Sequence, residues 1–162
     1  MLDKGTGNAL VIQVRMFMEP VKITVSSDPS HIATVRSAVE SFGDHHGFSR
    51  EQSEKIGLAV NEAVSNVIRH GYLGDVHQEI AVTIGMVEND GKKGIKVVIR
   101  DHGLQVDPDS IKGRDLEEVR PGGLGVHIMK SIMDEVSYRC RSQGGMELTM
   151  IKFLPSARES TI

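Results

Sequence analysis

A single cysteine, Cys140, stands in the 162-residue sequence, so no disulfide framework can form within the chain. Its place in an apolar, strand-like run predicts a buried, inert thiol and not a nucleophile. No apolar run approaches the ~18–20 residues that a membrane-spanning helix needs. The apolar stretch Ala9–Met18 is broken by Gln13 and Arg15 and lacks the charge and cleavage pattern of a signal peptide. Charge of one sign is scarce as well. A net charge of −3, with acids and bases interspersed, leaves no basic footprint for nucleic acid or for an anionic membrane. Internal repeats and low-complexity tracts are absent too. These absences predict a reduced, cytoplasmic compartment and no direct nucleic-acid or membrane partner. What remains is an ordinary globular composition, 39% hydrophobic and 25% charged, over a length that suits one domain with one core.

The most informative stretch is Gly57–Tyr72, GLAVNEAVSNVIRHGY. At helical periodicity, Ala59, Val60, Ala63, Val64, Val67 and Ile68 line one broad apolar face. Glu62 and Asn66 lie four apart, so they project from one face a turn from each other. A carboxylate placed there can take a proton, and an amide oxygen is a hard ligand suited to Mg²⁺. The same spacing describes the polar edge of many surface helices, so the pair alone decides nothing.

Elements of alternating type flank that helix. Leu10–Met18 and Val21–Val25 alternate as strands, with Pro20 marking an edge or a break. Asp28-Pro29 starts a helix with the apolar stripe Ile32, Val35, Ala38, Val39 and Phe42. Gly43 and Gly47 are its predicted stop, with His45 and His46 in a solvated loop. Ser49-Arg50-Glu51-Gln52 is a capping box opening the long second helix, which is expected to end at His70-Gly71. Ile80–Val87 and Ile95–Arg100 read as strands joined by the hairpin turn Glu88-Asn89-Asp90-Gly91.

Beyond Asp101-His102-Gly103 runs the polar stretch Leu104–Pro121, with one short helix expected around Asp109–Val119. A connection of that length is usually functional, and a mobile lid is its leading form. Gly122-Gly123-Leu124-Gly125 then opens a third helix with Val126, Ile128, Met129, Ile132 and Met133 as its apolar positions. Glycines before a helix N-terminus let backbone amides approach an anion. Val136–Cys140 and Met146–Leu154 are the closing strands, around Gly144-Gly145. Met1–Asn8 and Pro155–Ile162 read as loose termini.

Three signals therefore stand in a fixed order: a helix bearing Glu and Asn, a strand ending in Asp-x-Gly, and a glycine-rich helix start. A Walker phosphate loop is absent, and the glycine run follows a loop and not a strand, so a Rossmann reading fails. With this set the sequence resembles the GHKL ATPase superfamily and its Bergerat nucleotide-binding fold. Within it, the chain resembles the anti-sigma-factor serine/threonine protein kinases of bacteria. AVNEAVSNVIRHGY resembles the N box, IRDHG the first glycine box and GGLGVHIMKSIMDEV the second. The resemblance runs from about Val21 to Leu154.

The resemblance implies an α/β two-layer sandwich, a mostly antiparallel or mixed sheet with three main helices on one face, as a single domain over residues 1–162. It implies ATP and Mg²⁺ as ligands. Glu62 would be the general base, Asn66 the Mg²⁺ ligand, and Arg69 a basic group near the phosphates. Asp101 would take the adenine amino group, with Gly103 allowing the close approach. Gly122, Gly123, Leu124 and Gly125 would admit the phosphates to the helix amides, and Leu104–Pro121 would be the ATP lid.

The partners implied are an anti-sigma-factor antagonist as phosphorylation substrate, a sigma factor, and a second copy of the chain as a homodimer. Two departures stand out: Gln105 replaces the last glycine of the Asp-x-Gly-x-Gly pattern, and Met146-Glu147 replace a hydroxyl residue after the final glycine turn. A catalytically silent nucleotide-binding module and a detached histidine-kinase-type ATPase domain are the rival readings. The intact Glu62–Asn66 pair disfavours the first. Against the second, no helical hairpin with a phosphoacceptor histidine precedes the N-box helix.

Overall fold

The computed structural model describes residues 15–111 and 123–156. Period-two alternation of apolar residues builds the strands. In β3 (Glu79–Asn89), Ile80, Val82, Ile84 and Met86 enter the core, and in β4 (Lys92–Arg100) Ile95, Val97 and Ile99 do the same. The two strands meet in a tight turn where Asp90 (φ 48°) and Gly91 (φ 75°) take the left-handed conformation that matches hairpin twist. Upstream lie β1 (Arg15–Met16) and β2 (Val21–Ser26), both paired with β3; downstream come β5 (Glu135–Cys140) and β6 (Met146–Phe153). The sheet runs β1-β3-β4-β6-β5, with β2 also on β3, and every pair is antiparallel.

Three helices cover one face of this sheet: α1 (Ile32–His45), α2 (Arg50–Asn66) and α3 (Leu124–Ile132), with α2 between the other two. The expected two-layer α/β sandwich is what forms. The capping box closes at the start of α2. Gln52 N–H donates to Ser49 Oγ at 3.2 Å, and Ser49 N–H donates to Gln52 Oε1 at 2.8 Å. The apolar face of α2 buries Ile56, Ala59, Val60, Ala63 and Val64 against the sheet. Each fully buried Val or Ile side chain contributes roughly 1.5–3 kcal/mol, which fixes which face of α2 looks inward.

Several boundaries differ from the sequence expectation. α1 does not stop at Gly43: it continues to His45, and Gly43 instead lets α2 approach, since a Cβ there would lie 2.7 Å from Ser53 Oγ. The stop is Gly47, at φ 97°. His46 is not simply solvated, for its ring stacks on Phe42 at 4.0 Å. The α-helical part of α2 ends at Asn66, and Val67–Gly71 forms a π-helical turn. Cys140 is exposed, not buried, because it is the last residue of the edge strand β5. Only Arg15–Met16 of the expected first strand is seen as strand, and its residues 10–14 lie outside the described residues. Of the expected short helix, a single 3₁₀ turn at Pro108–Ser110 is described, and 112–122 lie outside. Among the described residues, no helix is long and apolar enough to cross a membrane.

Candidate active site

The π-helical turn at the end of α2 is where the site begins. Widening the helix by one residue per turn swings Val67–Gly71 toward the end of β4, and such turns recur at functional sites. Leu104 N–H donates to Gly71 carbonyl at 3.0 Å, and a Cβ on Gly103 would collide with that same carbonyl. Residue 103 therefore has to be glycine for the strand end and the helix end to touch. Tyr72 adds a second tie, its hydroxyl donating to Glu79 carbonyl and accepting from His102 N–H at 2.7 Å. Burial pushes the Tyr72 phenol up, so it stays a protonated donor.

Asp101 is 4% exposed and its carboxylate is held from two sides. Oδ1 accepts from Gly103 N–H at 2.8 Å and from Met146 N–H at 3.2 Å. The backbone is held too: Asp101 N–H donates to Met146 carbonyl at 3.1 Å, and Arg141 Nη1 donates to Asp101 carbonyl at 2.6 Å. Among the described residues Oδ2 has no hydrogen-bond partner, and Asp101 lines a cavity of about 220 Å³. Ala63, Val67, Leu104, Val126, Tyr138 and Leu148 make most of that cavity's wall apolar, and Asn66 lies on its rim. A flat apolar slot ending in one fixed carboxylate suits an aromatic base that carries an amino group.

Tyr138 lies in the wall with its hydroxyl 4.0 Å from Met129 Sδ, and burial pushes its phenol up to about 12. It is neutral across the working pH range and acts as wall, not as acid or base.

At the other end, the first turn of α3 sits on the Glu62–Asn66 pair. A Cβ on Gly125 would lie 2.8 Å from Glu62 Oε2 and 3.4 Å from Asn66 Nδ2. Gly123, at φ 76°, turns the chain into α3 and leaves its first amides without a side-chain cap. Leu124 is half exposed beside it. Asn66 Oδ1 accepts from Arg69 Nη2 at 3.4 Å, a long contact at the surface. The chemistry of this set fits phosphate and a divalent ion: free helix amides, one amide oxygen, one carboxylate and a guanidinium. Gly122 lies outside the described residues, as does the greater part of the expected lid.

Glu62, Asn66, Arg69, Asp101, Gly103, Gly123, Leu124 and Gly125 thus surround one region, with Asp101 at one end and Glu62 at the other. Sequence reasoning missed Tyr72, Tyr138 and Arg141, and it singled out Gln105 as a departure without foreseeing its partners. Tyr72 is the last residue of the N-box stretch, but only the fold shows its hydroxyl reaching His102. The departure at Met146-Glu147 also has a structural answer. Met146 holds Asp101 through its backbone, so no side-chain hydroxyl is needed for that contact, while its own side chain is buried in the cavity wall. Glu147 points to the opposite face of the sheet, between Arg100 Nε at 2.6 Å and Arg139 Nε at 2.7 Å. Burial raises the Glu147 pKa, and the two guanidinium hydrogen bonds outweigh it, holding the carboxyl below its ordinary range.

Comparison with known proteins places the chain in a family and a fold. A family model described as a histidine kinase-like ATPase domain matches residues 25–152. The chain is 26% identical over 147 residues to the serine-protein kinase RsbW of Bacillus subtilis, covering 85% of this chain and 88% of that one. It is 27% identical to the RsbW of Oceanobacillus iheyensis, covering 83% and 86%. Among solved structures, the SiaB–SiaC complex of Pseudomonas aeruginosa superposes with a TM-score of 0.59 at 13% identity, over 81% of this chain and 88% of the matched one. The RsbU and RsbW domains of a Mycobacterium tuberculosis protein superpose with a TM-score of 0.57 at 19% identity, over 84% of this chain and 32% of that one. The likeness to these two structures is one of fold. The chain belongs to the histidine kinase-like ATPase domain family.

Proposed function

We propose that this protein is an ATP-dependent serine/threonine protein kinase that acts as an anti-sigma factor, with the whole chain serving as one such domain. The reading rests above all on Asp101, which lines an apolar cavity and whose Oδ1 is fixed by two backbone amides while Oδ2 has no hydrogen-bond partner among the described residues. That carboxylate would accept the adenine amino group. The amides at Gly123–Gly125 would receive the phosphates, with Arg69 near them. A magnesium ion held through the Asn66 amide oxygen would neutralise charge on the phosphates.

Glu62 is the residue for the chemical step. A substrate serine oxygen attacks the γ-phosphorus, the bond from that phosphorus to the bridging oxygen of the β-phosphate breaks, and ADP leaves. The hydroxyl proton passes to the Glu62 carboxylate. Positioning and charge stabilisation do most of the work in such a transfer, with the base orienting the nucleophile. Leu104–Pro121 would close over the nucleotide, its first residues already forming cavity wall.

The substrate would be a small anti-sigma-factor antagonist, and its phosphorylation would free the kinase to hold a sigma factor. Similarity to serine-protein kinases over most of the chain supports this. A homodimer through the first strands is supported by the exposed Phe17, Met18 and Val21 at that edge. Incubation with labelled ATP, Mg²⁺ and candidate antagonists from the same genome tests the proposal. Label should move to one antagonist and vanish when its acceptor serine is changed to alanine. ATP binding with no transfer to any candidate would favour a silent module.

A further inference from the structure

Gln105 occupies the place where the resemblance calls for a glycine hinge, and its side chain is engaged. Its Nε2 donates to Arg141 carbonyl at 2.7 Å and to Gly145 carbonyl at 3.0 Å. Both neighbours are acceptors, so only the amino end of the carboxamide can face them; a flip would set oxygen against oxygen. Arg141–Gly145 is the turn between β5 and β6, closed by its own bonds from Arg141 N–H to Gly145 carbonyl at 3.0 Å and from Gly144 N–H to Arg141 carbonyl at 3.2 Å.

That turn is built onto Asp101. Gly145, at φ 79°, lies so close to the Asp101 carbonyl that a Cβ there would overlap it. Arg141 Nη1 donates to the same carbonyl, and the next residue, Met146, donates its N–H to Asp101 Oδ1. Gln105 therefore joins three parts: the cavity-wall residues Leu104 and Val106 on either side of it, the β5–β6 turn, and through that turn the carboxylate of Asp101.

We infer that Gln105 is a positioning residue for the purine base, locking the start of the lid to the β5–β6 turn so that the Asp101 carboxylate keeps its aim. A glycine in that place would leave the lid free to hinge at residue 105. Here the clamp holds Leu104 and Val106 as fixed parts of the cavity wall. This inference rests on the nucleotide reading given above.

Gln105→Glu is the sharp test, because it keeps the shape and turns two donors into an acceptor facing two carbonyls. Gln105→Met removes the donors without adding charge. Gln105 is exposed, so both variants are expected to fold with a near-native Tm. Calorimetry would compare ATP with purine riboside triphosphate, which lacks the amino group that Asp101 would hold. For the wild type, ATP should bind the more tightly. In Gln105→Glu, ATP affinity should fall about tenfold, on the scale of two lost hydrogen bonds. Affinity for the analogue should fall less, so the ratio of the two dissociation constants shrinks toward one. Amide exchange at Met146 should quicken in both variants without nucleotide present. An unchanged ratio, or unchanged exchange at Met146, overturns the inference while ATP binding by the wild type stands. A wild-type protein that binds no ATP overturns the nucleotide reading and the inference together.

Discussion

On the proposed reading the site has a base end at Asp101 and a phosphate end at Glu62 and Asn66, and the two are built on different plans. At the base end, Asp101 takes part in four hydrogen bonds to backbone or side-chain donors and acceptors, and neighbouring glycines press backbone against backbone. At the phosphate end, among the described residues Asn66 has one long hydrogen bond, from Arg69, α3 starts without a side-chain cap, and Gly125 leaves room beside the Glu62 carboxylate. One end is finished in the protein alone; the other offers free donors and acceptors. A site of this kind fixes what it recognises beforehand and leaves the reacting end to be completed by what binds.

The largest expected effect breaks the phosphate end without touching the base end. In Glu62→Gln, single-turnover phosphate transfer to the antagonist should fall about 10²–10⁴-fold, the usual contribution of a positioned base. ATP affinity and Tm should stay near wild type, since glutamine keeps the shape and helix propensity. Wild-type transfer rates in this variant would remove Glu62 from the chemistry.

Breaking the base end should give the opposite pattern. Asp101→Asn keeps one oxygen for the Gly103 and Met146 amides but can turn an amino group toward the cavity. ATP affinity should drop about 10–100-fold, as expected for losing a hydrogen bond to a charged group, and calorimetry would read it. Unchanged ATP affinity would mean that this carboxylate does not read the base.

A smaller effect sharpens the contrast at the start of α3. Gly123 sits at φ 76°, so Gly123→Ala should cost about 1–2 kcal/mol of stability, seen as a lowered midpoint in denaturant. Glycine at this position then serves the turn as much as any phosphate.

The smallest effect concerns Glu147, behind the base end. Its folded pKa lies below the ordinary 4.5, so its pairing stabilises the fold above that value and is lost as pH falls through the lowered one. Tm measured from pH 6 down to pH 3 should therefore fall less steeply in Glu147→Gln than in the wild type (about one ionisable group's worth of slope). Equal slopes would show that the Arg100 and Arg139 contacts are too screened to matter.

The two ends also differ in how far they could be read from sequence. The phosphate end is largely local. Glu62 and Asn66 follow from helical periodicity, the capping box of Ser49 and Gln52 sets where that helix starts, and the glycines before α3 announce an open helix end. The base end shows in sequence only as Asp-x-Gly. Its working parts come from contacts between distant residues: Tyr72 to His102, Gln105 to Arg141, Asp101 to Met146. No periodicity encodes such pairs. The π-helical turn was hidden for a related reason, since Val67–Gly71 continues the apolar pattern of α2 while its backbone widens. Cys140 was misjudged because apolar neighbours do not reveal that a strand is the last in its sheet.

The bond from Met146 to Asp101 spans 45 residues, and it sets an order of events in the making of the protein. A nascent chain that has emerged only as far as α3 already carries all three recognisable motifs, yet the Asp101 carboxylate has only the first of its two amide donors, Gly103, and still lacks Met146. Closing so long a loop must precede the reward of the contact. On the proposed reading, a nucleotide would meet the fully held carboxylate only after that loop has closed. On that reading, tight capture of the base would then mark chains whose final hairpin has docked.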